Sequence, residues 1–188
     1  MSSLEINVQT NVRDLSRNLT DLAKKQIPKA VNRTLNRVGT AASRAALRDV
    51  ATQAGTTQKR VRQGGFWVNL RSRTRTLVYK IKVRYGAIPL KAFQPRQTKQ
   101  GVTAKSWGQR RLYKSAFKSE KLGGHVFVRE GKRRLPIKKL WGPQPSRLAL
   151  SDQTRREIVT VLDQRFAREF VNNISFYYDR AVQARRKR

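Results

Sequence analysis

The chain has 188 residues, 43 of them Lys or Arg against 11 Asp or Glu, for a formal net charge of +32. One His and no Cys exclude a disulfide framework, a cysteine zinc site and a paired-histidine metal site. Hydrophobic residues make up 38%, too many for a fully disordered chain, and no apolar run approaches the length of a membrane span.

Met1 to Asn7 lacks a basic start followed by an apolar stretch, so no secretory signal is expected. Leu4 to Val8 alternates apolar and polar residues and reads as a short strand. Asn11 is placed to cap a helix with the stripe Leu15, Leu19, Leu22. Pro28 either interrupts that helix or sits in the first turn of the next one. From Pro28 to about Ala54 the recurrence of Val31, Leu35, Val38, Ala42, Ala46 and Val50 predicts a long helix. Its Ala-rich seam allows close approach, as the spine of the fold or as an oligomer contact. Gly55 ends it, and Thr56 or Thr57 caps a short basic turn through Gln63.

Residues 66–140 read as β. The cleanest alternation runs from Thr76 to Tyr85, with Phe66 to Leu70 as its partner strand, joined through Arg71 to Arg75. Pro89 marks a strand end. Residues 94–124 are expected to be a loop or long hairpin, with Val102 to Trp107 pairing near Ala116 and Phe117. His125 to Arg129 and Arg133 to Leu140 form a hairpin, with Gly131 in its turn at positive φ. After the rigid connector Gly142 to Pro145, Ser151 and Asp152 start a last helix. Its stripe is Ile158, Leu162, Phe166, Phe170, Ile174, Tyr177 and Ala181, and Arg185 to Arg188 form a basic tail. The expected fold is therefore one α+β domain over 1–188. An N-terminal strand and long helices pack on a small antiparallel sheet with long basic loops and a C-terminal amphipathic helix.

The charge is unevenly spread. Residues 1–55 and 141–188 each carry a net +5, whereas residues 56–140 carry +22, with 24 cations and only Glu120 and Glu130 opposing them. A merely soluble surface interleaves both signs. The middle segment is accordingly expected to face an anionic partner: nucleic acid, an anionic membrane surface or an acidic protein surface, among which composition alone does not choose. Its candidate contacts are Arg71, Arg73, Arg75, Lys80, Lys82, Arg84, Arg110, Arg111, Arg129, Lys132, Arg133, Arg134, Lys138 and Lys139. No base-reading motif is present, so nucleic-acid contact is expected at phosphates, non-specific and salt-dependent. The interleaved aromatics also permit stacking of single strands, although Tyr79 and Tyr85 share the parity of core residues.

Catalytic arrangements are scarce. His125 stands alone at a strand start, where a structural role is the plain reading. The acids form no DxD or ExxH cluster, and Gly64-Gly65 and Gly123-Gly124 lack phosphate-loop spacing. No enzyme activity, cofactor or metal is expected.

The run Gly124 to Pro143 resembles the signature region of the tailed-phage minor tail protein Z family. The matching positions are Arg129, Gly131, Lys132, Arg134, Leu135, Pro136, Gly142 and Pro143. The Ala30-Val31-Asn32-Arg33 helix, the Ile88-Pro89-Leu90 and Ala116-Phe117 pieces and the basic last helix sit in similar order. The resemblance implies a structural protein of the virion tail or neck, assembled in the host bacterial cytoplasm. It implies roles in tail completion, head–tail joining and placement of the DNA end. The implied partners are other copies in a hexameric ring, tail terminator and tube proteins, the head connector and phage DNA, with no membrane. Val31, Leu35, Ala42 and Ala46 are candidate subunit-packing residues. The alternative is a non-specific nucleic-acid-binding protein, ribosomal or nucleoid-like, outside any virion.

Overall fold

The structure is a computed structural model and describes residues 20, 22–63, 67–131 and 133–186. The strand expected at Leu4 to Val8, the Asn11 cap, Leu15 and Leu19 lie outside the described residues. The protein is α+β, with two long helices and three small antiparallel sheets. It divides into two compact units, one from residues 1–39, 71–80 and 162–188, the other from 40–70 and 81–161. None of the described helices is long and apolar enough to cross a membrane.

A π-helical turn, Leu22–Gln26, leads into α1, Ile27–Ala54. Pro28 is the second residue of α1 and follows the π-helical turn directly, so it does not interrupt the helix. Gly55 (φ 69°) closes the helix: its N–H donates to the Thr52 carbonyl, and that of Thr56 to Ala51, both at 3.0 Å. Two carbonyls that the helix end would orphan are thereby satisfied. Thr57 then caps α2, Gln58–Arg62, its side chain accepting from the Arg60 N–H.

The second unit holds a core to which α1 contributes Ala46, Leu47, Val50 and Ala51. Strands β1 (Trp67–Leu70) and β2 (Lys80–Val83) pair with each other. A 3₁₀ turn, Leu90–Phe93, inserts Leu90 and Phe93 into the core. Next come β3 (Arg96–Thr98), β4 (Gly101–Ser106) and β5 (Gln109–Lys114), one sheet in that order. The third sheet is β6 (Ala116–Ser119), β7 (His125–Arg129) and β8 (Ile137–Lys139), again in chain order. Val102, Ala104, Ala116 and Val126 point into the same core. Each fully buried Leu, Val or Phe here contributes about 1.5–3 kcal/mol relative to exposure. A short helix α3, Pro145–Ala149, precedes α4, Asp152–Arg186. Ser151 caps α4 by accepting from the Thr154 N–H at 3.3 Å. Beside this start, the Asp49 carboxylate of α1 accepts from Gln53, Gln153 and the buried Thr154 hydroxyl at 2.5–2.6 Å.

In the first unit, buried Asn173 donates to Thr34 Oγ1 at 3.0 Å, and Arg37 pairs with Glu169 at 2.7 Å. Asn36 exchanges hydrogen bonds with the backbone of Ser72, at 2.9 and 3.1 Å.

Several expectations are corrected. The alternation from Thr76 to Tyr85 yields only the four residues of β2. The Arg73 carbonyl accepts from the N–H groups of Thr76 and Leu77, making a turn, and Leu77 has φ 44°. Tyr79 packs on Gly39, and Tyr85 is 79% exposed rather than in a core. Of the two expectations for residues 94–124, loop or long hairpin, the second holds: they carry β3 to β6, with β4 and β5 as a hairpin. Val102 pairs with Tyr113 of β5, not with the Ala116–Phe117 segment, through a tight turn at Trp107 (φ 53°) and Gly108 (φ 75°). Two successive positive φ values match the twist of a two-residue hairpin. The Trp107 N–H donates to the Ala54 carbonyl at 3.1 Å, so the hairpin tip also serves the end of α1. The strand expected over Arg133 to Leu140 is only β8. Gly131 does not have positive φ. The last helix takes in Arg185 and Arg186, which were assigned to the tail.

Candidate nucleic-acid interface

The predicted cations are distributed over both units. Arg71, Arg73 and Arg75 belong to the first unit and are exposed, around Ser72, which Asn36 anchors. Lys80 and Lys82 are exposed on β2, while Ile81 and Val83 between and beyond them pack on the core. Arg84 is exposed just past the strand. On β5, Arg110 donates to Thr103 Oγ1 at 3.3 Å, and Arg111 lies over the Trp107 ring at 5.4 Å. Arg133 and Arg134 are exposed in the β7–β8 connection, and Lys132 lies outside the described residues.

The β6–β7–β8 sheet sorts its residues by parity. Val126 faces the core, and so does Ala116, whose partner across the strands is Val128. His125, Phe127 and Arg129 therefore occupy the opposite face. Register places Phe117 and Lys139 on either side of Phe127 on that face, and it places Lys138 with Val128 on the other. The Phe117 and Phe127 rings are 6.1 Å apart, tilted by 30°. The Arg129 guanidinium sits 5.3 Å above Phe117, and the Lys139 ammonium 4.6 Å above Trp141, itself half exposed.

Lys139 Nζ is also 3.2 Å from His125 Nε2. An ammonium only donates, so neutral His125 accepts at Nε2 and carries its proton on Nδ1. Nδ1 is buried and meets no partner. Burial holds the His125 pKa below its ordinary 6.5, with the charges of Lys139 and Lys91 acting in the same direction.

The motif positions have separate tasks. Gly142 and Pro143 are buried: the Gly142 N–H donates to the Ile88 carbonyl at 2.7 Å, and Ile88 donates to Pro143 at 3.1 Å. A Cβ on Gly142 would meet Phe93 Cε2 at 2.5 Å, so the position requires glycine for space. Leu135 is 66% exposed, Pro136 and Gly131 are exposed, and the Pro136 carbonyl accepts from the Glu130 N–H. Among the α1 residues assigned to subunit packing, Ala42 and Ala46 are buried by the chain itself and are unavailable to a neighbour. Val31 and Leu35 are half-buried.

The sequence shows interleaved aromatics, but not that Phe117 and Phe127 share one face of a sheet. The signal for that face was the alternation of His125, Phe127 and Arg129 against Val126 and Val128. Among the described residues, no group of three or more His, Asp or Glu side chains is arranged to hold a metal.

The candidate site is thus a set of cations and aromatic rings carried on small sheets. A family model, prophage minor tail protein Z (GPZ), matches residues 12–184. The chain belongs to this family, whose members are structural components of the phage tail, so its place is in the virion. No curated protein and no solved structure matches the chain.

Proposed function

We propose that the protein completes the tail at its head-proximal end, joins tail to head and holds the DNA end there. The observation that carries this reading is the net +22 of residues 56–140. Two acids cannot neutralise 24 cations, so the segment calls for an external polyanion. DNA in the tail lumen and acidic faces of the terminator, tube or connector supply that charge. Contact with DNA is through phosphates, strongest at low salt. The role is structural rather than catalytic.

Self-assembly into a ring, six-fold in this reading, is supported by apolar side chains that α4 leaves exposed, among them Val159 at 52%, Val171 at 61% and Tyr178 at 48%. Copies at +32 each repel one another, so the ring closes on a preformed tail or on DNA, in the host cytoplasm.

The test is deletion of the coding sequence from the prophage, followed by induction and electron microscopy. Unjoined heads and tails are expected, and normally joined particles would refute the reading. A nucleic-acid binder acting outside the virion, favoured by the same charge, predicts joined particles and altered DNA or RNA compaction instead.

A further inference from the structure

We infer that the solvent face of the β6–β7–β8 sheet is a stacking platform for unpaired bases of a DNA strand. This rests on the DNA contact proposed above and adds to it the kind of DNA and the surface that takes it.

Interior packing does not account for the rings. The core lies under Ala116 and Val126, and Phe117 and Phe127 stand on the other side, half-buried. Their ring neighbours are each other and, edge-on to Phe127 at 6.4 Å, His125; cations lie above the group, Arg129 over Phe117 and Lys139 over the neighbouring Trp141. A cation over an exposed ring is held weakly and can exchange that ring for a phosphate. A base has a π face for the ring so released, and its phosphate receives the cation.

Other partners fit less well. An acidic peptide would satisfy Arg129 and Lys139 and leave the rings in water. An apolar surface would cover the rings and strand two buried charges. Duplex DNA keeps its base faces stacked internally and offers phosphates alone. Only a single strand meets both features, without preference for sequence.

The experiment titrates the full chain into a labelled mixed-sequence single strand and, separately, into its duplex, reading fluorescence anisotropy at several salt concentrations. The single strand is expected to bind more tightly than the duplex. Joint Phe117→Leu and Phe127→Leu replacement keeps apolar bulk but removes stacking; it should weaken single-strand binding about tenfold or more, with duplex binding unchanged. Arg129→Gln with Lys139→Gln should lower the single-strand salt slope by about 1.4, at ~0.7 per phosphate.

Equal affinity of the unmodified protein for single strand and duplex, or no DNA binding, overturns the inference. So does a folded Leu pair, verified by circular dichroism, that binds the single strand normally. If the Leu pair does not fold, the strand-to-duplex ratio and the Gln pair decide. The outcome is separable from that of the deletion: joined particles would sink the tail-joining role and leave a measured strand preference standing, whereas equal affinities would sink the platform alone.

Discussion

Replacing Gly142 by Ala tests whether the Gly-Pro step is a packing requirement. The new methyl would lie 2.5 Å from Phe93 Cε2 and 3.1 Å from Cδ2 and Cζ. Carbon atoms settle at about 3.5–4.0 Å, so the closest approach is short by about 1 Å. Neither partner retreats easily. Phe93 is 2% exposed within the core, and the Gly142 backbone is fastened to Ile88, with Leu90 bonded to Leu140 on the same ladder. Overpacking of this kind costs about 1–3 kcal/mol, against a gain of about 0.4–1 kcal/mol from restricting the unfolded chain. A net loss near 1–2 kcal/mol lowers Tm by roughly 2–8 °C for a chain of this size. The assay is thermal unfolding by far-UV circular dichroism. Gly131→Ala serves as the comparison: nothing lies within 4 Å of its Cβ position, and Tm should not fall. In a Phe93→Leu background the Gly142→Ala loss should shrink. An unchanged Tm for Gly142→Ala, or the same loss in both backgrounds, refutes the clash.

Three further outcomes are expected. The lowered His125 pKa means the unfolded chain binds more protons just below pH 6.5, so stability should fall as pH drops through 6.5 and level off beneath the folded value; His125→Gln should flatten that part of a Tm-versus-pH curve. Asp49→Ala removes the acceptor of three donors, one of them the buried Thr154 hydroxyl, and should cost about 1–3 kcal/mol in urea unfolding. Joint Arg71→Gln, Arg73→Gln and Arg75→Gln should leave Tm nearly unchanged, because all three are exposed, while lowering the duplex salt slope by up to about 3 in the anisotropy titration.

Elements carrying a complete local code were legible in the sequence. The α1 stripe, its stop at Gly55 and the caps Thr57 and Ser151 all stand where the residues indicate. The code failed where long-range pairing decides. Thr76 to Tyr85 alternates well, but the turn at Arg73 and the seat of Tyr79 on Gly39 take its first half away from the sheet. Strand β5, Gln-Arg-Arg-Leu-Tyr-Lys, is exposed at every position except Tyr113, so burial imprinted no period on it. Its turn uses Trp107 at positive φ instead of the Asn or Gly that announces such hairpins. The candidate site was half legible. Arg129 and Lys139 were readable as surface cations, but their shared face with Phe127, and the removal of Lys138 to the other, depend on the β6–β7–β8 register.

The order in which the two units draw on the chain bears on synthesis. Every residue of the second unit precedes position 162, whereas the first needs residues up to the C-terminal helix. Synthesis therefore completes the second unit's set of residues before the first unit's. Thr34 must wait 139 residues for Asn173. Over that interval the early half of α1 lacks its native partners from α4, and the nascent chain, already strongly cationic, is exposed to the ribosome's own RNA. Completion of α4 is then the event that gives Thr34 and Arg37 their partners Asn173 and Glu169.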